Sequence, residues 1–143
     1  MMERQGLAAI EKVIFLKSVD IFSRVSVEEL GRVAALTEEA YFEAGETIYR
    51  EGEPVEAIFL VLKGRVAVEG KGKVIREVGE GQAFGTVAAL DLKPAIHTIR
   101  AIDPVSALKL NTQDLQDLLS LDFELVQSVI RALCGLVREY VGR

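Results

Sequence analysis

Eight of the twelve glycines, at positions 45, 52, 64, 70, 72, 79, 81 and 85, fall in one central stretch, and the flanks are nearly free of them. Glycine weakens a helix and supplies the positive φ of tight turns, so a segment punctuated this way is built from short strands rather than helices. The runs between the glycines fit that reading: Ala40–Glu43, Thr47–Tyr49, Ala57–Leu62, Arg65–Val68 and Lys73–Val78, then a strand ending in Phe84-Gly85, followed by Ala95–Ile102 and Val105–Leu110. Strands this short, recurring roughly every ten residues, predict an all-β sandwich, roll or barrel. Lys63-Gly64 and Glu69-Gly-Lys-Gly72 read as hairpin turns.

The flanks carry helical spacing instead. Leu7, Ile10, Val13, Ile14 and Lys17 recur every three or four residues and predict a first helix. Ser26 and Glu29 form a capping box for a second, with Val25 and Leu30 as its hydrophobic staple and a stop near Thr37. Asn111 caps a short helix through Leu119, with Leu110 and Leu115 as staple, and Asp122 opens a last helix reaching Tyr140. The expected layout is one domain: a helical lead-in over about 3–37, a β-roll over about 38–110 and C-terminal helices over about 111–141.

On the last helix Val126, Ile130, Leu133, Val137 and Tyr140 follow the four-three spacing of a coiled-coil seam, while Leu125, Val129 and Leu136 widen the stripe. Two readings stay open: packing on the helix's own domain, which a wide stripe favours, or a homodimer seam. Cys134 beside the stripe reads as a small residue at the core edge.

Inventory excludes several functions. A net charge of −5 and a pI near 5.0 oppose binding to nucleic acid or anionic lipid, both of which start from a basic patch. One histidine, His97, and one cysteine, Cys134, cannot build a multi-histidine metal site, a zinc framework or an internal disulfide. No nucleophile elbow or phosphate-binding Walker loop is present, so no enzymatic activity is expected. No apolar run approaches the roughly 20 residues of a membrane span, and the start lacks a secretory pattern; a cytoplasmic chain without direct membrane contact is the expectation.

The informative segment is Gly79–Leu90 followed by Asp91–Ala101. A glycine leading into a one-turn helix exposes unpaired N–H groups suited to an anion, or else simply marks a tight corner where the backbone needs room. The order Tyr41-Phe42-x-x-Gly45-x-x-Ile48, Glu51-Gly52-Glu53, Phe59-Leu-Val-Leu-x-Gly64-x-Val66, Phe84-Gly85 and the strand after Pro94 resembles the cyclic-nucleotide-binding domain family over about residues 15–141. The resemblance implies an eight-stranded jelly-roll-like β-roll flanked by helices, a fold that is mainly β. It also implies a nucleotide cassette at Phe84, Gly85, Thr86, Val87, Ala88, Ala95, Ile96 and His97.

The cassette departs from the family pattern at its gripping positions. The family places glutamate after the corner glycine to bond the ribose hydroxyl, and arginine after the proline to neutralise the cyclic phosphate; this chain has Thr86 and Ala95. The following small hydroxyl residue is Ile96, and the alanine after it is His97. Each lost charge-assisted hydrogen bond is worth about 1.5–3 kcal/mol, so two cost roughly a hundredfold in affinity or more. No cofactor is therefore expected, and cyclic AMP or cyclic GMP should not bind at ordinary affinity.

Strand alternation sets Ala95, His97, Ile99 and Ala101 on one face. His97 there reads either as a neutral interior histidine bonded to backbone or as an anion contact, and Lys93 reads either as solvated or as a substitute cation swung over the site. Two functions stand: a regulatory domain that has lost cyclic-nucleotide binding and serves as an interaction or scaffolding module, or a sensor for a nucleotide or other small anion. The lead-in Ile10–Phe22 resembles the entry to such domains in larger bacterial proteins with membrane segments or helical repeats.

Overall fold

A computed structural model describes residues 7–142; positions 3–6 of the expected lead-in lie outside them. Eight strands form two four-stranded antiparallel sheets. They are β1 Thr37–Phe42, β2 Thr47–Tyr49, β3 Ala57–Lys63, β4 Val66–Gly70, β5 Lys73–Val78, β6 Ala83–Phe84, β7 Thr98–Ala101 and β8 Val105–Asn111. The sheet orders are β1-β8-β3-β6 and β2-β7-β4-β5. Helices α1 Ala9–Lys17, α2 Val27–Ala35, α3 Thr86–Asp91, α4 Thr112–Leu121 and α5 Phe123–Val141 complete the chain, with a 3-10 turn at Asp20–Phe22.

The unbroken apolar run of β3 has a direct cause. Ala57, Phe59 and Val61 point between the sheets, against Val66, Val68, Val78, Ile99, Ala101 and Ala107. Ile58 and Leu60 point the other way, under Leu16, Phe22, Leu30, Val33, Leu115, Leu125 and Val129 of the helices. A strand covered on both faces loses the polar half of its alternation. The two apolar layers share β3 and β8 as a common wall.

The three predicted N-caps form, though the capping box at Ser26 is one-sided, since Glu29 Oε1 accepts from the Ser26 hydroxyl and not from its backbone N–H. Ser26 Oγ accepts the Glu29 amide, Asn111 Oδ1 those of Gln113 and Asp114, and Asp122 Oδ1 that of Leu125. Both staple pairs, Val25 with Leu30 and Leu110 with Leu115, are buried.

Five expectations need correction. Thr37 does not end a helix; α2 stops at Ala35 and Thr37 opens β1, registered against Leu110. Leu7 lies before α1, its amide donating to Glu39 Oε2, and the helix buries Leu16 while Ile10 and Ile14 stay exposed. Lys63-Gly64 makes no hairpin, because β3 and β4 belong to different sheets; Gly64, at φ 89, turns the chain from one sheet to the other beneath the Pro104 carbonyl. The turn at Lys71-Gly72, with φ positive at both residues, does join β4 to β5 as a two-residue hairpin. The strand expected from Ala95 begins only at Thr98, because Ala95 is held by exchanged backbone bonds with Gly52 and Glu53 in the loop after β2. Cys134 is exposed rather than at the core edge, because only the first half of α5 is covered by the domain.

Candidate functional site

The corner between β6 and α3 is set by Gly85, at φ 84. A Cβ there would stand 2.8 Å from the Ala57 carbonyl and 3.3 Å from Val55 Cγ1, so glycine serves both the turn and the close approach to β3. Gly85 has no side chain to cap α3, and Leu92, at φ 60, closes the helix after barely two turns.

Phe84, Gly85, Thr86, Val87, Ala88, Ala95, Ile96 and His97, separated by as many as thirteen positions in sequence, all line one cavity of about 140 Å³. Its deep part is apolar. Ala95 packs with Val55, Ala88 and the Tyr49 ring, and Ile99, Val68 and Phe84 continue the wall. Phe84 stacks on Phe59 at 5.0 Å between ring centroids and meets Tyr49 at 6.1 Å, so an aromatic ladder backs the site. Val87 and Ile96 are more than half exposed and form an apolar rim.

The polar complement is small. Thr86 is half-buried, and its hydroxyl makes no hydrogen bond among the described residues. Burial pushes the Tyr49 phenol up to about 12, and the Arg76 guanidinium nearby pulls against that rise. His97 is half-buried at the rim, packed on the bare backbone of Gly70, where a Cβ would lie 3.1 Å from its Cδ2. Its ring forms no hydrogen bond among the described residues, so it is not the backbone-bonded interior histidine that alternation suggested. Lys93 is exposed and does not line the cavity. No carboxylate does so among the described residues.

Sequence reasoning missed Tyr49 and Arg76. The signal for Arg76 was present in β5: Glu77 turns outward to Arg65, Val78 is buried, and Arg76 shares the inward face of Val78 opposite Val68. An arginine in a strand exposed from Lys73 to Glu77, itself included, reads as plain surface until the fold places it at the cavity rim.

The two positions expected to grip the ribose and the phosphate hold a neutral hydroxyl and a methyl, and the cavity is below the roughly 300–1,000 Å³ usual for small-molecule sites. No group of His, Cys, Asp and Glu among the described residues could hold a metal ion, and no described helix is long and apolar enough to cross a membrane.

Comparison with known proteins agrees with the architecture. The chain is 32% identical over 107 residues to a cAMP-dependent protein kinase regulatory subunit of Emericella nidulans, covering 73% of this chain and 26% of that protein. It is 33% identical over 114 residues to a cGMP-dependent protein kinase, isozyme 2, of Drosophila melanogaster, covering 74% of this chain and 12% of the kinase. The chain thus spans about a quarter or less of these curated relatives. Among solved structures, the regulatory subunit of a cAMP-independent protein kinase A from Trypanosoma brucei superimposes with a TM-score of 0.73 at 26% identity, over 91% of this chain and 47% of that one. The family model described as the cyclic nucleotide-binding domain matches residues 39–122, from β1 to the start of α5, and with eight strands closed around the Phe84-Gly85 corner this chain belongs to the cyclic nucleotide-binding domain family.

Proposed function

We propose that this regulatory domain has lost ordinary binding of cyclic AMP and cyclic GMP and works as a non-enzymatic interaction module in the cytoplasm, joined to a larger protein and self-associating through α5. The observation that carries the reading is the cavity lining: Thr86 and Ala95 stand where charged groups would be needed, and no lining carboxylate replaces the missing one among the described residues. Two absent charge-assisted bonds remove roughly a hundredfold in affinity or more. Likeness to the regulatory subunit of a kinase named as cAMP-independent is consistent with regulation by this fold without that nucleotide. The much greater length of the kinase relatives supports attachment to other domains.

The interaction surface lies on α5. Leu125, Ser128, Val129 and Ala132 bury against the domain, whereas Ile130, Val137, Tyr140 and Val141 are 52%, 60%, 75% and 74% exposed. Ile130, Leu133, Val137 and Tyr140 keep the four-three spacing that lets an identical helix interdigitate, which commits the occupant to a second copy of this chain.

The test is a melting-temperature screen against cyclic AMP, cyclic GMP and adenine nucleotides, beside the double variant Thr86→Glu with Ala95→Arg. Ligand that binds only the folded state raises the melting temperature with the logarithm of concentration over Kd. The wild type should show no shift at micromolar cyclic nucleotide and the restored variant a saturable one. A shift in the wild type overturns the reading.

A further inference from the structure

Arg76 differs from the paired arginines of the roll, Arg65 and Arg100. Arg65 donates to Asp103 and Glu77, and Arg100 donates to Glu69. Arg76 pairs with no carboxylate among the described residues, yet it lines the cavity from its exposed rim, on the face of β5 that it shares with the buried Val78. Its charge is felt by the Tyr49 phenol inside the same cavity. Thr86, Tyr49 and His97 add hydrogen-bonding groups around it, and no lining carboxylate among the described residues repels an acid.

We propose that this cavity binds a compact aromatic anion, a single ring carrying one acid group, with Arg76 as its counter-ion. The cavity volume of about 140 Å³ suits a single ring, since an apolar cavity of about 150 Å³ takes up benzene. The Phe84 ring, backed by Phe59, the Tyr49 ring and the methyls of Ala88 and Ala95 form a wall for the ring's faces and edges. The acid group is left at the rim, where a guanidinium offers two parallel N–H donors to a carboxylate or phosphate. The inference goes beyond the loss of cyclic-nucleotide binding and does not depend on it, because the cation comes from β5 and not from the positions after Gly85 and Pro94.

The experiment is a calorimetric and melting-temperature titration of the whole chain with benzoate and with phenyl phosphate, against neutral benzamide and inorganic phosphate. Cyclic AMP is run in parallel, so that the two readings fail separately. Saturable binding of at least one aromatic acid is expected, with benzamide and inorganic phosphate inert. Arg76→Gln should weaken it about tenfold or more, and Lys93→Gln should leave it unchanged. In the wild type the bound acid should shift the side-chain ¹⁵N–¹H signal of Arg76, a readout that needs no variant to fold. The proposal is overturned if neither acid saturates, if benzamide binds equally well, if Arg76→Gln binds as tightly as the wild type, or if the Arg76 signal stays in place.

Discussion

Single residues decide this site, and two of them make sharp predictions. Replacing Gly85 with alanine puts a Cβ 2.8 Å from the Ala57 carbonyl at a φ of 84, and should destabilise the fold by about 1–3 kcal/mol in urea denaturation. The Tyr49 phenol, raised to about 12 by burial, should titrate above the ordinary tyrosine range in an ultraviolet pH titration. Its folded value lies above the unfolded one, so its contribution to stability is complete below about pH 10 and fades as pH rises through the folded value; Tyr49→Phe should abolish that late loss. At this scale the sequence was legible wherever it departed from a pattern. Thr86 and Ala95 announce themselves by what they are not, and all the cassette positions fall in one cavity. For Arg76 the alternation of β5 gave only its face; that this face borders the cavity with Phe84 and Thr86 is a non-local fact that no window of the sequence carries.

At the scale of elements, the ends of helices were read well where a side chain caps them and poorly where tertiary pairing competes. Asp122 both caps α5 and accepts from Arg32 at 2.7 Å. Asp122→Ala should therefore cost about 0.5–2 kcal/mol by denaturant midpoint. The lower half of that range is expected, since its loss relieves Glu29, whose carboxyl is pushed up by burial and by Asp122 beside it. Thr37 and Ala95 show the opposite case. Local spacing continued a helix to the first and began a strand at the second, but the register of β1 on β8 and the backbone bonds from Gly52 and Glu53 moved both boundaries. The wide stripe of α5 divides along its length, with one half packed on the domain and the other bare. Val137→Glu should convert a dimer to a monomer in sedimentation velocity without lowering the melting temperature of the domain; unchanged mass would remove the seam.

For the whole molecule, β3 and β8 are the shared wall between a helical layer and the interior of the roll, and the corner cavity adjoins a cleft that reaches α5. Arg76, Ala83, Thr86 and Val87 line both the candidate ligand cavity and a second cleft bordered by Leu133 and Leu136 of α5. A change at the corner is thus one side chain away from the helix that carries the exposed seam. The order of strands and flanking helices was readable from glycine spacing and apolar period, whereas the crossing at Gly64 was not, because a turn's sequence does not say which sheet receives the next strand. On the proposed function, the fold has been kept while its ordinary grip on cyclic nucleotides has gone. Isothermal titration of cyclic AMP into the unmodified chain tests it most directly. No binding heat is predicted at micromolar nucleotide, and a saturable isotherm with a micromolar Kd would contradict the proposed function.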